Sequence, residues 1–136
     1  MNVDTDYVLG THDAEISRLH LQHGIWQTLV HDCWARAGIM PGQHVIDIGC
    51  GPGFASVDLA EVVGPQGWVT GIERSERFIA HAEALSASRG LNNISFQHAD
   101  VMLDALAVEG ADAIWCRWLA IFVSDPDMLV RKMAAA

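Results

Sequence analysis

Four short apolar blocks alternate with segments of helical pattern along this chain, and this alternation limits the folds that the chain can adopt. The blocks are VIDI at residues 45–48, WVTGIE at 68–73, NISFQHAD at 93–100 and ADAIWCR at 111–117. Short apolar strands that alternate with helices are typical of a parallel sheet covered by helices on both faces. Because crossovers between parallel strands are right-handed, we expect a doubly wound α/β sheet with the strand order 3-2-1-4.

The segments between these blocks carry helix signals. Apolar residues recur at helical offsets over residues 13–37, with Thr11 or Asp13 as the N-cap, and Gly24 leaves two shorter helices as an alternative. Further helices are expected over residues 54–64, 75–90, 101–110 and 124–136. We therefore expect an N-terminal helical segment at residues 1–38 and a Rossmann-like domain at residues 39–136, with its sheet truncated after the fourth strand.

The charge of the chain bears on its partners. Its formal net charge is −9, its isoelectric point is near 5.0, and its eight lysine and arginine residues are scattered. Binding to a nucleic-acid backbone depends on clustered basic residues. We therefore expect no nucleic-acid partner.

Cysteine usage and the N-terminus bear on location. Cys33, Cys50 and Cys116 are far apart and form no C-x-x-C pair, so neither a disulfide framework nor a metal site is expected. The N-terminus MNVDTDYVLG shows no signal-peptide pattern, and no uncharged apolar run reaches the roughly 18 residues that a membrane span needs. These features predict a cytoplasmic protein without a membrane partner.

The loop after the first strand is rich in glycine. Gly49, Gly51 and Gly53 leave room for a ligand to approach the backbone. They lie at the carboxyl ends of the strands, where doubly wound folds bind their ligands. The following helix directs free N–H groups at the same place. The spacing G-x-G-x-G differs from the G-x-G-x-x-G of dinucleotide-binding loops, and no Gly-Lys-Ser/Thr follows as in a P-loop.

Three acidic residues lie at or near the ends of neighbouring strands. Glu73 ends the second strand, where a carboxylate accepts hydrogen bonds from the two hydroxyls of a ribose. Asp100 ends the third strand, where it faces an amine donor, and Asp47 precedes the glycines, near enough to meet a cationic group. The pattern predicts a ligand with a diol, an exocyclic amine and positive charge.

The motifs VIDIGCGPG, GIERS, QHADV and DAIWCR, in this order, resemble those of the class I S-adenosylmethionine-dependent methyltransferases of the small-molecule type. The resemblance covers the chain from about residue 39 onward and implies S-adenosylmethionine as the cofactor. It implies these cofactor contacts: Gly49, Cys50 and Gly51 with the methionine part, Glu73 with the ribose, Arg74, Asp100 and Val101 with the adenine, and Arg117, through its backbone, with the methionine amino group.

The N-terminal stretch is similar to the leading helices of family members that methylate small molecules. In those proteins this region covers the cofactor, which makes Tyr7 and Gln22 possible contacts. Complete members also carry three further strands and a substrate-binding region. We therefore expect this chain to be part of a longer protein or to be completed by a partner.

The resemblance implies transfer of a methyl group from a sulfonium to an O, N or C atom of a small-molecule acceptor. Two alternatives remain open, a cofactor-binding fragment without catalysis and a nucleotide- or NAD-binding module. No catalytic residue is assigned. His20 and His23 are three residues apart, as in a weak metal pair, but a solvated or half-buried helix face is the preferred interpretation, and His98 is expected to pack or hydrogen-bond.

The apolar segment WLAIFV at residues 118–123 follows the fourth strand. It fits either the wall of a substrate pocket or the apolar side of a core helix, and the second interpretation is preferred. With the fourth strand at the edge of the sheet, its unpaired backbone groups favour pairing with another copy. We therefore expect a homodimer formed through this edge, or a poorly soluble chain.

Overall fold

The computed structural model describes residues 7–106 and 108–136. Its helices and strands follow one another as α1 (Asp13–Ala37), β1 (His44–Ile48), α2 (Phe54–Val63), β2 (Trp68–Glu73), α3 (Glu76–Ser88), β3 (Ile94–His98), β4 (Ala113–Cys116), a 3-10 turn (Leu119–Ile121) and α4 (Pro126–Ala135). None of the described helices is long and apolar enough to cross a bilayer.

The four strands form one parallel sheet in the order β3-β2-β1-β4, as the sequence predicted. Its register pairs Ile48 with Ile72 and Glu73 with His98, so that the carboxyl ends of β1, β2 and β3 lie next to one another. The predicted Rossmann-like α/β fold is therefore confirmed, in a partial form with four strands.

Alternate residues of β1 supply two separate apolar cores. Val45 packs with Trp34 of α1 and Leu59 of α2 on one face of the sheet, whereas Ile46 and Ile48 face the opposite side. Leu129 of α4 joins the second core. Because both faces of the central strand are covered, burial of apolar surface holds the sheet between helical layers.

The N-terminal helix α1 is a single helix of 25 residues, so the alternative of two helices is wrong. Gly24 costs about 1 kcal/mol of helix propensity relative to alanine, but His23, Val30 and Trp34 bury their side chains on either side of it. The predicted N-caps are also wrong, because the cap is His12, whose Nδ1 accepts a hydrogen bond of 3.1 Å from the N–H of Glu15.

The other helix ends follow local signals. Ser75 caps α3 by accepting from the N–H of Phe78, and Asp125 caps α4 by accepting from the N–H of Met128, with Pro126 in the first turn. The predicted domain boundary at residue 38 follows the end of α1, where Gly38 adopts a left-handed conformation, and it stays a prediction.

A helix predicted over residues 101–110 does not form in the described part of that segment, which is a turn followed by irregular backbone. The carbonyls of Val101 and Asp104 instead accept hydrogen bonds of 2.6 and 2.7 Å from Nζ of Lys132 on α4. Lys132, which is distant in the sequence, therefore satisfies two carbonyl groups of this segment, whose irregular backbone differs from the predicted helix.

Candidate functional site

A cavity of about 550 Å³ opens at the carboxyl ends of the strands. This volume lies in the range of about 300–1,000 Å³ that is usual for small-molecule sites. The cavity is lined by all nine residues predicted to bind the cofactor: Asp47, Gly49, Cys50, Gly51, Glu73, Arg74, Asp100, Val101 and Arg117. Tyr7 and Gln22 also line it. The structure thus brings the predicted residues together in one place, although their individual contacts with a ligand stay predictions.

The glycine loop contributes differently at its three positions, although all three have positive φ. A Cβ atom on Gly51 would meet nothing within 4 Å, whereas one on Gly53 would lie 2.5 Å from Cβ of Ala82 on α3. A Cβ on Gly49 would lie 2.9 Å from Cδ1 of Leu119. The expectation that all three glycines make room for a ligand is therefore wrong for Gly53. The missing side chain at Gly53 lets the start of α2 pack against α3. Gly51 is the position that opens into space.

Glu73 is held in place by backbone donors. Its Oε2 accepts a hydrogen bond of 2.9 Å from the N–H of Gly51, and its Oε1 accepts from the N–H groups of Arg74 and Ser75 at 2.8 and 3.0 Å. A carboxylate oxygen has two lone pairs, so Oε2 retains the capacity to accept a hydroxyl. The side chain is thus oriented toward the glycine loop with one acceptor site free, whereas the sequence predicted acceptance from both hydroxyls of a ribose, and the ribose contact stays a prediction.

Asp100 and Arg74 lie together at the next strand end. Their side chains approach to 3.7 Å, and Oδ1 of Asp100 accepts a hydrogen bond of 2.8 Å from the N–H of Met102. Val101 is buried beside them. His98 lies at the end of β3 but hydrogen-bonds the carbonyl of Arg74 at 2.7 Å, in agreement with the packing or hydrogen-bonding role expected for it.

Asp47 differs from the expectation of a carboxylate that meets a cationic group. It is 2% exposed, and its Oδ2 accepts a hydrogen bond of 2.6 Å from the hydroxyl of Ser56. Burial raises the pKa of Asp47 to about 7, although the Ser56 hydrogen bond and the charge of Arg117 oppose the shift. Near neutral pH this group is therefore only partly charged. Burial also raises the pKa of the neighbouring Cys50 thiol, which makes it a poor nucleophile.

Arg117 lines the cavity and its side chain contacts α1, whereas the sequence had predicted a backbone contact with the cofactor, which stays a prediction. Its Nη2 lies 3.1 Å from Nδ1 of His23. Its Nη1 is buried and has no hydrogen-bond partner within the described ranges. Burial lowers the pKa of Arg117, opposed by the charges of Asp47 and Asp58, but a guanidinium group remains charged at neutral pH.

His23 connects Arg117 to a buried carboxylate that the sequence analysis missed. Nε2 of His23 lies 2.8 Å from Oδ2 of Asp58, which is 1% exposed and also accepts hydrogen bonds from Gln27 and His31. Burial alone would raise the pKa of Asp58, but these hydrogen bonds outweigh burial and lower it well below its ordinary value. A single aspartate inside the apolar segment FASVDLAEVV was the signal that could have found this cluster.

His20 does not join His23 in a metal pair. It stacks on the ring of Phe54 with centroids 4.8 Å apart, and no group of three metal-binding side chains occurs in the part of the chain that the structure describes. The preferred interpretation of a solvated or half-buried face is wrong for His23 itself, which is 5% exposed and hydrogen-bonded on both ring nitrogens.

Aromatic side chains form the outer wall of the cavity. Tyr7 makes edge contacts with Phe78 and Phe122, with ring centroids 5.7 and 5.6 Å apart. The segment at residues 118–123 is not a core helix, which corrects the preferred interpretation, but a 3-10 turn whose Trp118 and Phe122 line the cavity. Trp118 has a φ of 65° and contacts Trp26 of α1 edge-on.

Comparison with known proteins decides the family, because residues 39–135 match a family described as a methyltransferase domain. The chain belongs to this methyltransferase family. Its predicted membership of the class I S-adenosylmethionine-dependent methyltransferases is confirmed, and S-adenosylmethionine is the cofactor of that class. The match covers the whole sheet and the nine predicted cofactor residues between Asp47 and Arg117, but not Tyr7 and Gln22.

Relatives and solved structures support the assignment to the methyltransferase family. The chain is 36% identical over 84 residues to aklanonic acid methyltransferase DauC of Streptomyces sp. (strain C5), an alignment that covers 62% of this chain and 38% of that protein. It is 33% identical over 96 residues to a ubiquinone biosynthesis O-methyltransferase of Coxiella burnetii, covering 71% of this chain and 39% of that one. This methyltransferase domain therefore spans less than two fifths of the length of both relatives.

The fold is also that of solved methyltransferases. A crystal structure of coclaurine N-methyltransferase, bound to N-methylheliamine and S-adenosylhomocysteine, superposes with a TM-score of 0.72 at 28% identity and covers 79% of this chain and 31% of that one. The two observations that test the fit of a cofactor are local. Open space lies at Gly51, and Oε2 of Glu73 beside it keeps a free lone pair, so that the methyltransferase domain offers both room and a polar group to a ligand.

Proposed function

We propose that this chain binds S-adenosylmethionine in the cavity and transfers its methyl group to a small-molecule acceptor. The observation that carries this proposal is the position of Glu73, whose carboxylate is oriented by the N–H of Gly51 at the mouth of a cavity of about 550 Å³. The methyltransferase family supplies the reaction class. Two curated relatives support a small acceptor by their names, an aklanonic acid methyltransferase and a ubiquinone biosynthesis O-methyltransferase, whereas a third is named as a 23S rRNA methyltransferase. The net charge of −9 favours the small acceptor over RNA.

The proposed contacts divide the cavity into two ends. The adenosine end is formed by Glu73, Arg74, Asp100 and Val101, and the methionine end by Asp47, Gly49, Cys50, Gly51 and Arg117. Oε2 of Glu73 accepts from one ribose hydroxyl, and Asp100 accepts from the adenine amine. Because burial keeps Asp47 partly protonated near neutral pH, it contributes less negative charge near the reacting sulfur than an exposed carboxylate would.

The bound cofactor supplies a methyl group on a positively charged sulfur, and the residues of this chain supply position. Holding two reactants in near-attack geometry contributes about 7–11 kcal/mol to such a reaction. Positive charge on the sulfur is lost in the transition state, so an acid close to it would stabilise the ground state instead. Trp118, Ile121 and Phe122 line the cavity and form an apolar wall for the acceptor.

Isothermal titration with S-adenosylhomocysteine tests binding. We expect saturable binding by the wild type and its loss in Glu73→Ala, since the ribose loses its acceptor. Glu83→Ala is the matched control, because Glu83 is an exposed glutamate on α3 away from the cavity. Equal affinity of Glu73→Ala and the wild type would contradict the proposal.

Two alternatives predict different results. A cofactor-binding fragment without catalysis would bind S-adenosylhomocysteine but transfer no label from methyl-labelled S-adenosylmethionine to phenol, amine or carbon-acid acceptors. The short span of the chain relative to its relatives supports testing this alternative directly. An NAD-binding module would bind NADH more tightly than S-adenosylhomocysteine, which fluorescence titration measures.

Proposals on partners and location rest on the charge of the chain, its cysteines and the position of β4. We propose that the protein acts on small molecules and not on nucleic acid, because its net charge is −9. We propose a cytoplasmic location because Cys33, Cys50 and Cys116 are far apart in the sequence and form no disulfide framework. We further propose a homodimer through β4, which lies at one edge of the sheet and pairs only with β1 among the described strands. Light scattering at increasing protein concentration tests the dimer, and a monomer throughout would contradict it.

A further inference from the structure

Large apolar side chains are exposed together in the loop that follows β4. Trp118 is 46% exposed, Ile121 and Phe122 are exposed as well, and all three line the cavity. Trp26 of α1 is also exposed and contacts Trp118. Single exposed apolar residues are ordinary, but a group of them at one cavity marks a surface that a ligand covers.

Trp118 occupies its position with an unfavourable backbone. Its φ of 65° is the only positive value at a non-glycine residue in the part of the chain that the structure describes. A left-handed backbone is costly for any residue with a Cβ atom, and such residues cluster at ligand sites. Glycine would adopt this backbone freely, and burial in the core does not explain a half-exposed tryptophan here. Contact with a ligand does explain it.

The rings of Trp118 and Trp26 form a corner. Their centroids are 6.0 Å apart and their planes are inclined by 71°, so the edge of one ring meets the face of the other. The two rings are therefore not stacked on each other, and about half of Trp118 stays open. Aromatic ligands bind to such surfaces by offset stacking and edge contacts, in addition to the burial of apolar area.

The wall beside this corner is uncharged. Residues 118–124, with the sequence WLAIFVS, carry no charged side chain and all but Ala120 line the cavity. Asp47, Glu73 and Asp100 line the cavity from the strands instead. A charged group placed against the loop would lose hydration without gaining a partner from it. The wall therefore favours a neutral, apolar ring system.

We propose that Trp118, together with Trp26, binds a flat aromatic ring of the methyl acceptor against this wall. The two tryptophans are called the aromatic corner below. This inference rests on the proposed function, because it identifies the bound molecule as the methyl acceptor. Offset stacking on an indole requires a flat ligand, so a puckered saturated ring of the same skeleton binds less tightly.

Titration calorimetry with two matched probes, on protein saturated with S-adenosylhomocysteine, tests the aromatic corner. 2-Naphthol is flat, whereas decahydro-2-naphthol has the same fused rings and hydroxyl but is saturated and puckered. Trp118→Leu removes the aromatic ring and keeps an apolar side chain, and Trp118→Phe keeps a smaller ring. Trp68→Leu is the matched control, because Trp68 is a similarly exposed tryptophan that does not line this cavity.

We expect the wild type and Trp68→Leu to bind 2-naphthol about tenfold more tightly than decahydro-2-naphthol. Trp118→Leu is expected to lose this preference, and Trp118→Phe to keep part of it. Trp26→Leu is expected to show a smaller loss than Trp118→Leu, because it removes only one side of the corner. The loss in each variant is larger for 2-naphthol than for S-adenosylhomocysteine.

Three results would overturn the aromatic corner as an acceptor site. They are equal affinities of the wild type for the two probes, an unchanged preference in Trp118→Leu, and equal losses of affinity for 2-naphthol and S-adenosylhomocysteine in Trp118→Leu. Light scattering identifies the other occupant of this surface, a second copy of the chain. A smaller molar mass of Trp118→Leu, with the probe preference unchanged, would assign the exposed side chains to an interface between copies.

Failure of this inference and failure of the proposed function are distinguishable. If the wild type binds no S-adenosylhomocysteine, the proposed function fails, and titration of the unliganded protein with the two probes still tests the aromatic corner. If it binds S-adenosylhomocysteine but shows no preference between the probes, only the aromatic corner fails. If Trp118→Leu does not fold, Trp118→Gly decides by the same ratio, because glycine suits the left-handed backbone at this position.

Discussion

Oε2 of Glu73 accepts a hydrogen bond of 2.9 Å from the backbone N–H of Gly51, which joins the end of β2 to the loop after β1. Two motifs that are 22 residues apart in the sequence therefore form one structural unit. The acid is oriented by backbone groups in the folded protein itself. Such preorganisation reduces the free energy that a ligand must supply to order the site.

We expect alanine substitutions at Gly51 and Gly53 to affect different properties, ligand affinity at Gly51 and the free energy of unfolding at Gly53. Gly51→Ala is expected to fold with a loss of about 1–2 kcal/mol for its left-handed backbone. It is also expected to bind S-adenosylhomocysteine about tenfold more weakly, because its methyl group would lie in the open space that we propose for the cofactor. Gly53→Ala has a similar backbone penalty and a further loss of about 1–3 kcal/mol, because its Cβ would lie 2.5 Å from Cβ of Ala82. Urea unfolding and titration calorimetry measure the two effects. Wild-type affinity in Gly51→Ala would contradict the first expectation.

Asp47 predicts a dependence of stability on pH. Its pKa is raised by burial from 3.8 to about 7, so between these values the folded protein binds more protons at this site than the unfolded chain. The contribution of Asp47 to stability is therefore complete below about pH 4 and is lost as the pH rises toward 7. Asp47→Asn removes this titration, and we expect its stability relative to the wild type to rise between pH 5 and pH 8 in urea unfolding. The exposed Asp127→Asn is the control, and a gap that does not change with pH would refute the expectation.

We expect the substitution Asp58→Asn to lower the free energy of unfolding strongly. The carboxylate of Asp58 accepts hydrogen bonds from His23, Gln27 and His31, so that it fastens α1 to α2. Removing one member of a buried charged cluster costs about 3–5 kcal/mol, and we expect Asp58→Asn to approach this range. Asp32→Asn, which breaks an exposed ion pair within α1, is expected to cost less than about 1 kcal/mol. Similar unfolding midpoints for the two variants would show that the cluster contributes little.

We expect the substitution Lys132→Met to loosen the loop after β3. Nζ of Lys132 donates to the carbonyls of Val101 and Asp104 at 2.6 and 2.7 Å, next to residues that line the cavity. Lys132→Met is expected to cost about 1–3 kcal/mol, to speed amide hydrogen exchange over residues 101–106 and to weaken binding of S-adenosylhomocysteine. The exposed neighbour Arg131→Met is the control. Unchanged exchange in the loop would show that Lys132 does not hold it.

Sequence patterns were sufficient for the strand order and for bringing the predicted residues to one cavity. Both depend on local sequence patterns. Apolar blocks mark the strands, and the carboxyl ends of parallel strands lie side by side. Gly51, Glu73 and Asp100 each follow or end such a block, and the structure places all three on the same cavity. No packing detail was needed to bring them together.

Contacts between distant side chains were decided only by the packing of helices on the sheet. The separation between His23 and Asp58 is 35 residues, and the separation between Arg117 and His23 is 94 residues. Likewise, two carbonyl groups of the segment after Asp100 are satisfied by Lys132, about 30 residues farther along. Periodicity describes which face of an element is apolar, whereas the partner of a buried polar group depends on which other element packs against that face.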